Sequence, residues 1–335
     1  MDDVKGAERP SLGIRLLHAL RKERDWSAMT TEELFAFRDA ENRKRASRSA
    51  RVITGFPDRG AGIRWQEVTL ADRGIRVRVC RPSPGRGGDV ALPLVLHVHG
   101  GGFVGTAAQS DWVNSHLAAR LPAVVVSVEH RLLAPGTPLP AAVDDGWDVL
   151  RHVVRHAVDW GVDPERVAVF GESNGGMIAA LAAIRARDTG LPLRAQVLVN
   201  PALDLTEAGF RHASMARHAH SPTLTVPHMR LYQRLAVPPG TDARALSPLL
   251  ADDLGALAPA LVVVPTVDPL ADHGRRYAER LRESGTSARL TEHPGATHGF
   301  LSMPGVVPQA RAARAEVAGF LRDHLAARLT QAGER

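Results

Sequence analysis

The segment Phe170-Gly171-Glu172-Ser173-Asn174-Gly175-Gly176 sets a serine between two glycines, with a short apolar run before it and an Ala-rich stretch after it. A strand that bends sharply into a helix at such a serine lifts the hydroxyl out of the sheet as a nucleophile. Side chains at Gly171 or Gly175 would crowd the strand or helix flanking that bend. A serine hydroxyl is a weak nucleophile until a neutral imidazole takes its proton, and a carboxylate must hold that imidazole in the right tautomer. Two later segments carry these groups: Val264-Pro265-Thr266-Val267-Asp268-Pro269-Leu270 and Gly295-Ala296-Thr297-His298-Gly299-Phe300. Asp272, shortly after Asp268, is a rival for the carboxylate position. A fourth piece, His99-Gly100-Gly101-Gly102-Phe103, leaves backbone N–H groups open toward a bound oxyanion. One such donor is worth about 10²–10³ in rate, so such a loop is a major element of catalysis.

These pieces need elements that hold them together. Leu94–Val98, Val124–Val128, Val167–Phe170, Gln196–Val199, Leu261–Val264 and Ala288–His293 are near-continuous apolar runs of the kind buried on both faces of a parallel sheet. Helical stretches alternate with them: Asp144–His156, Gly175–Arg187 (ended by Thr189-Gly190) and Arg275–Ser284. Such alternation predicts an open α/β sheet, in which sites form at the C-terminal ends of the strands. The serine, the aspartate, the histidine and the glycine loop all follow predicted strands. Ahead of the sheet, residues 63–70 and 75–80 alternate around Asp72-Arg73-Gly74 and predict an antiparallel hairpin, followed by a surface loop over 82–89.

Two stretches fall outside the alternation. Residues 1–55 are helical in pattern and polar, with Thr30 and Glu33 opening a helix to about Arg48, and are too charged to form their own core. Residues 205–257 interrupt the strand–helix rhythm and read as an insertion. The chain therefore divides into 1–55, a first core part over 56–204, the insertion over 205–257, and a second core part over 258–335.

Composition narrows the function classes. The net charge is +6 over 335 residues, but the basic residues are spread among acids. The one dense run, Arg43-Lys44-Arg45-Ala46-Ser47-Arg48 with Arg51 beyond it, has no aromatic interleaving, so no nucleic-acid partner is expected. Cys80 is the single cysteine, which excludes an intrachain disulfide and any Cys-rich zinc site. His152/His156 and His218/His220 lack further ligands at metal spacing, so neither a metal nor a cofactor is expected. The N-terminus lacks the pattern of a secretory signal and no run is long enough to span a bilayer, which predicts a cytoplasmic protein without stable membrane insertion.

Taken together, His99–Phe103, the Arg131–Asp145 segment, Gly171–Gly176, Asp268–Asp272 and His298–Phe300 resemble the hormone-sensitive-lipase-like family of α/β-hydrolase carboxylesterases, from about residue 60 onward. The resemblance implies an α/β-hydrolase fold, a mostly parallel central sheet flanked by helices. It also implies Ser173 as nucleophile, His298 as base and then acid, and Asp268 as its partner. Oxyanion donors would be the N–H groups of Gly101, Gly102 and Asn174, with His99 and Gly100 supporting the loop. Residues 1–55 and 205–257 would form a helical cap. The chain departs from the family pattern in five places: Glu172 and Asn174 in the elbow, His130 where Tyr is usual, an extra Leu at 132/133, and Gly136 where Glu is usual. The expected activity is hydrolysis of short- to medium-chain or natural-product esters without a cofactor. An acyltransferase or lyase on the same scaffold is the alternative, and a non-catalytic receptor is disfavoured by the presence of His298. A homodimer through the last strand or the C-terminal helix, about Gln309–Ala327, is also expected.

Overall fold

The computed structural model describes residues 9–20, 26, 29–84 and 91–327. Its helices are α1 (Leu12–Leu20), α2 (Thr31–Ala46), α3 (Arg51–Thr54), α4 (Asp111–Arg120), α5 (Leu139–Arg155), α6 (Asn174–Thr189), α7 (Ala213–Arg217), α8 (Val226–Ala236), α9 (Ala271–Glu283) and α10 (Gln309–Leu325). Its strands are β1 (Ala61–Thr69), β2 (Gly74–Pro82), β3 (Leu92–Val98), β4 (Val124–Val128), β5 (Val162–Glu172), β6 (Ala195–Val199), β7 (His220–Ser221), β8 (Leu224–Thr225), β9 (Ala260–Val267) and β10 (Ala288–Thr297).

All but β7 and β8 form one sheet in the order β1-β2-β4-β3-β5-β6-β9-β10. Only β2 runs against the rest: it pairs antiparallel with both β1 and β4, and every other pairing is parallel. This is the α/β-hydrolase fold that the resemblance implies, built on the open α/β sheet that the strand pattern predicts. The residues of β4 and β6 are buried throughout. Strand alternation sends Leu94, Leu96 and Val98 to an apolar layer with α5, α6 and α9, and Val95 to a second layer with α4 and α10.

The predicted hairpin is present, with Ala61 opposite Pro82 and Thr69 opposite Gly74. The loop expected at 82–89 lies largely outside the described residues. α2 opens on the Thr30/Glu33 pair as a reciprocal cap: Glu33 N–H donates to Thr30 Oγ1 at 3.2 Å and Thr30 N–H to Glu33 Oε2 at 2.9 Å. Gly190, at φ 71°, ends α6 by donating to the Ala186 and Arg187 carbonyls.

Two helices begin earlier than the sequence suggests. α5 starts at Leu139 rather than Asp144, because Pro140 falls in the first turn, where its missing N–H costs nothing. α9 starts at Ala271 rather than Arg275, with the Ala271 N–H donating to the Asp268 carbonyl. α4 gave no periodic signal because it is buried on nearly every side.

α4 is tied to the sheet by one ion pair to β2. Arg78 of β2 donates from Nε and Nη2 to the two oxygens of Asp111, at 3.0 and 2.8 Å, with both side chains largely buried. Removing one partner leaves a buried charge alone. Asp111→Ala is expected to cost about 3 kcal/mol of stability in urea unfolding. Arg78→Met combined with Asp111→Leu is expected to recover most of that loss.

Candidate active site

Ser173 ends β5 and precedes α6 with φ 54° and ψ −118°, a strained conformation that turns the chain from strand to helix in one residue. The neighbouring glycines permit it. A Cβ on Gly171 would lie 2.0 Å from the Gly175 carbonyl oxygen, and one on Gly175 would lie 2.2 Å from the Val98 oxygen at the end of β3. The elbow is thus pressed against its own helix and against the neighbouring strand.

β10 delivers His298 to the same place. Its Nε2 lies 2.8 Å from Ser173 Oγ, and its Nδ1 lies 2.8 Å from Asp268 Oδ2. With the carboxylate accepting, Nδ1 carries the proton and Nε2 is left to accept from the serine. Asp268 is fully buried just past β9, and its other oxygen accepts from the Leu270 N–H at 2.9 Å. Asp272 is engaged elsewhere: it accepts from the Ser214 N–H at 2.8 Å and from Arg275 Nη1 at 2.9 Å. The structure therefore joins Ser173, His298 and Asp268 in one hydrogen-bonded chain and leaves Asp272 outside it.

Gly100, Gly101, Gly102 and Asn174 line one cavity with Ser173 and His298. Gly101 has φ 101°, and a Cβ there would sit 1.9 Å from the Val104 oxygen, so only glycine fits the loop. The Gly102 carbonyl accepts from the Leu133 N–H at 2.7 Å, and the Gly100 carbonyl accepts from Gln109 Nε2 at 3.0 Å. With those carbonyls tied back, the loop's shape is fixed from outside the cavity. His99 is fully buried, donates from Nδ1 to Gly100 O at 3.0 Å, and stacks on His130 at 4.2 Å. Burial, with the neighbouring His130 adding to it, holds the His99 pKa well below the usual histidine value, so its ring stays neutral.

The departures from the family pattern have local accounts. His130 supplies the ring that stacks on His99. Gly136, at φ 79°, takes the left-handed position of a tight turn closed by the Thr137 N–H on the Ala134 carbonyl at 2.9 Å. Arg131 binds Asp145 through Nε and Nη2, at 3.0 and 2.8 Å, which anchors that turn to α5. Glu172 is buried, and its Oε2 accepts from Ser302 Oγ at 3.0 Å, linking the elbow to the segment after His298. Asn174 Nδ2 is buried with no hydrogen-bond partner among the described residues.

Sequence reading missed Gln109, Asn42 and Ser302. Asn42 Oδ1 accepts from the Gly105 N–H at 2.9 Å, so α2 also props the glycine loop. Gln109 had a signal: Thr106-x-x-Gln109 is a capping pattern, and the paired side-chain bonds are present. Asn42 and Ser302 carry none, since their partners are distant in sequence. His152 and His156 stack on each other at 4.3 Å. Among the described residues, no three His, Cys, Asp or Glu side chains gather to hold a metal ion.

The cavity holds about 1280 Å³. Its floor is the elbow and the glycine loop; α2 and residues 202–236, including Met229 and Tyr232 of α8, form much of its walls. Phe103 and Val104 pack with Leu34 of α2 and Tyr232 and Leu235 of α8, so these helices share a small apolar core with the glycine loop.

A family model described as the α/β hydrolase fold matches residues 95–302, well over half of the chain. The carboxylesterase NlhH of Mycobacterium tuberculosis is 38% identical over 258 residues, covering 74% of this chain and 79% of that protein. An ethyl acetate hydrolase of Pseudomonas putida is 33% identical over 293 residues, covering 85% and 90%. Among solved structures, a hyperthermophilic esterase from the archaeon Pyrobaculum calidifontis superposes with a TM-score of 0.82 at 31% identity, over 95% of this chain and all of that one. The chain belongs to the α/β-hydrolase family, within the hormone-sensitive-lipase-like group that its motifs resemble.

Two predictions test the site's framework. Gly171→Ala is expected to cost more than about 3 kcal/mol by forcing Cβ into backbone. Gly62→Ala in β1, where a Cβ meets nothing within 4 Å, is expected to stay within about 0.5 kcal/mol. Chemical denaturation measures both.

The second concerns His273, which is buried against the cavity, accepts the Leu203 N–H on Nδ1 at 3.2 Å, and has its pKa pushed down to about 4 by burial. The unfolded ring protonates near pH 6.5 and the folded one resists until about pH 4, so the unfolded state binds more protons in that window. Its contribution to stability is present above pH 6.5 and is lost as the pH falls toward 4. His273→Gln is expected to lower stability at neutral pH and to flatten the thermal-melt dependence between pH 6.5 and 4.

Proposed function

We propose that the chain is a serine carboxylester hydrolase that works through an acyl-enzyme on short- to medium-chain or natural-product esters. The observation that carries this reading is the hydrogen-bonded chain from Ser173 Oγ through His298 to Asp268, at 2.8 Å for each link, opening on the cavity. Kinship with an ethyl acetate hydrolase and a carboxylesterase supports the substrate class.

In this reading Ser173 Oγ attacks the ester carbonyl carbon while His298 Nε2 takes its proton. Asp268 keeps the imidazole in the tautomer that can accept and stabilises the imidazolium that forms. The carbonyl oxygen becomes an oxyanion held by the N–H groups of Gly101, Gly102 and Asn174, the last at the positive end of α6. His298 then gives its proton to the departing alkoxide. Water enters, loses a proton to His298, and attacks the acyl carbon; the second oxyanion collapses and Ser173 recovers its proton. No cofactor enters the cycle.

Residues 1–55 and 205–257 form the cap in this reading, supported by the share of the cavity wall drawn from α2 and α8. The cavity exceeds the roughly 300–1,000 Å³ usual for small-ligand sites, which favours medium acyl chains or bulky alcohols over acetate alone. β10 lies at the edge of the sheet, which favours pairing of two chains there.

Hydrolysis of p-nitrophenyl acetate, butyrate, octanoate and palmitate tests the reading. Turnover is expected to peak at butyrate or octanoate and to fall at palmitate. Ser173→Ala is expected to lose about 10⁴-fold or more in kcat and all labelling by a fluorophosphonate. Asp268→Asn should lose about 10⁴-fold, whereas Asp272→Asn keeps kcat near the wild-type value. A folded protein with neither turnover nor labelling would refute the hydrolase.

A further inference from the structure

Five of the six strongly exposed large hydrophobic residues among the described residues lie in one part of the chain. Leu12, Leu16 and Leu20 recur every fourth residue along α1 and are 66%, 57% and 86% exposed, while Ile14 on the opposite face is buried. Val52 of α3 and Phe56 just beyond it are 71% and 67% exposed. α1 and α3 both rest on the strip Pro304–Val306: the Gly305 N–H donates to the Ile53 carbonyl at 3.0 Å, and Ser11 Oγ donates to the Val306 carbonyl at 3.4 Å. The apolar residues therefore belong to one neighbourhood. Leu17, His18 and Leu20 of α1, with Ile53 and Thr54 of α3, also line the cavity, so this neighbourhood forms part of its wall.

The same region holds the basic run, in which Lys44 pairs with Glu41 at 3.9 Å and Arg45 donates to Gln109 Oε1 at 3.3 Å. Residues 43–59 contain six basic side chains and one acid, Asp58. Asp58 is already held by His116 and Arg120, at 3.4 and 3.6 Å. Arg43 and Arg48 are exposed, as is Arg15 on the outer side of α1. An exposed apolar stripe beside unneutralised arginines is the composition of an interfacial anchor, whose apolar residues enter the acyl boundary while its cations meet lipid headgroups. A second copy of this chain would instead set like charges face to face.

We propose that α1, α3 and the basic turn between α2 and α3 dock the protein peripherally on an anionic lipid surface. The part of the cavity wall formed by α1 and α3 then lies against the lipid, and apolar esters dissolved there reach Ser173 without crossing bulk water. Among the described residues no helix is long and apolar enough to cross a membrane, so the contact is lateral. Docking stands on this surface alone; only the delivery of esters rests on the hydrolase reading.

Flotation of the full chain with vesicles of phosphatidylcholine, or of phosphatidylcholine with phosphatidylglycerol, tests the proposal. Binding is expected only to the anionic vesicles, and to be lost near 1 M salt, where the screening length is about 3 Å. Arg48→Gln and Arg51→Gln should each lower partitioning about fivefold, and Leu16→Asp with Phe56→Asp should abolish it. These variants should keep the wild-type circular dichroism spectrum and p-nitrophenyl acetate hydrolysis. No binding by the wild type, equal binding to both vesicles, or unchanged binding by the variants overturns the proposal. So does a wild-type dimer that ignores vesicles and dissociates in Leu16→Asp, which would make a second copy the occupant. Vesicle binding by a protein without ester turnover would remove the hydrolase reading and leave the docking intact.

Discussion

Three backbone segments in this protein approach one another more closely than any side chain allows, and the rest of the site is arranged around that approach. Gly171 faces the carbonyl of Gly175, Gly175 faces that of Val98, and Gly101 faces that of Val104. The first two contacts press the elbow into the adjacent strand and its own helix, so Ser173 has nowhere to relax from φ 54°. The third curls the glycine loop beside it. Close packing of backbone on backbone fixes the relative positions of Ser173 and the glycine loop more tightly than side-chain packing usually does.

Around this centre the protein spends its polar side chains on carbonyls and loop ends. Gln109 and Leu133 hold the glycine loop by its carbonyls, Asn42 holds it by the Gly105 N–H, and Arg131 clamps the next loop to α5 through Asp145. Ser302 reaches back to Glu172, so the turn carrying His298 is attached to the elbow it must meet. Each bond is modest alone; together they leave the reacting groups little freedom, which is what preorganisation of an acyl-transfer site requires. The buried, neutral His99–His130 stack adds bulk under the loop without adding charge there.

The fold and the reacting groups were legible in the sequence for different reasons. The sheet was legible because strands buried on both faces must be apolar throughout, as β4 and β6 are. The elbow and the glycine loop were legible because their geometry excludes every residue but glycine at Gly171, Gly175 and Gly101. Helix starts at Leu139 and Ala271 were not, because a proline in the first turn looks like a breaker and because the Asp268 carbonyl begins α9 from outside its apolar pattern. α4 was hidden by being buried all round.

What the sequence determined by itself was the fold and the chemical types at the strand ends, since each follows from local constraint: period, turn geometry, and the steric demand for glycine. Residue types and spacing left Asp268 and Asp272 as rivals, with the resemblance favouring Asp268, and the tertiary structure puts Asp268 on His298 and Asp272 on Ser214 and Arg275. It also decided that Asn42 and Ser302 serve the site, and that α1 forms part of the cavity's wall. Those relations join residues far apart in the chain, and pattern along a sequence carries no record of distance across a fold.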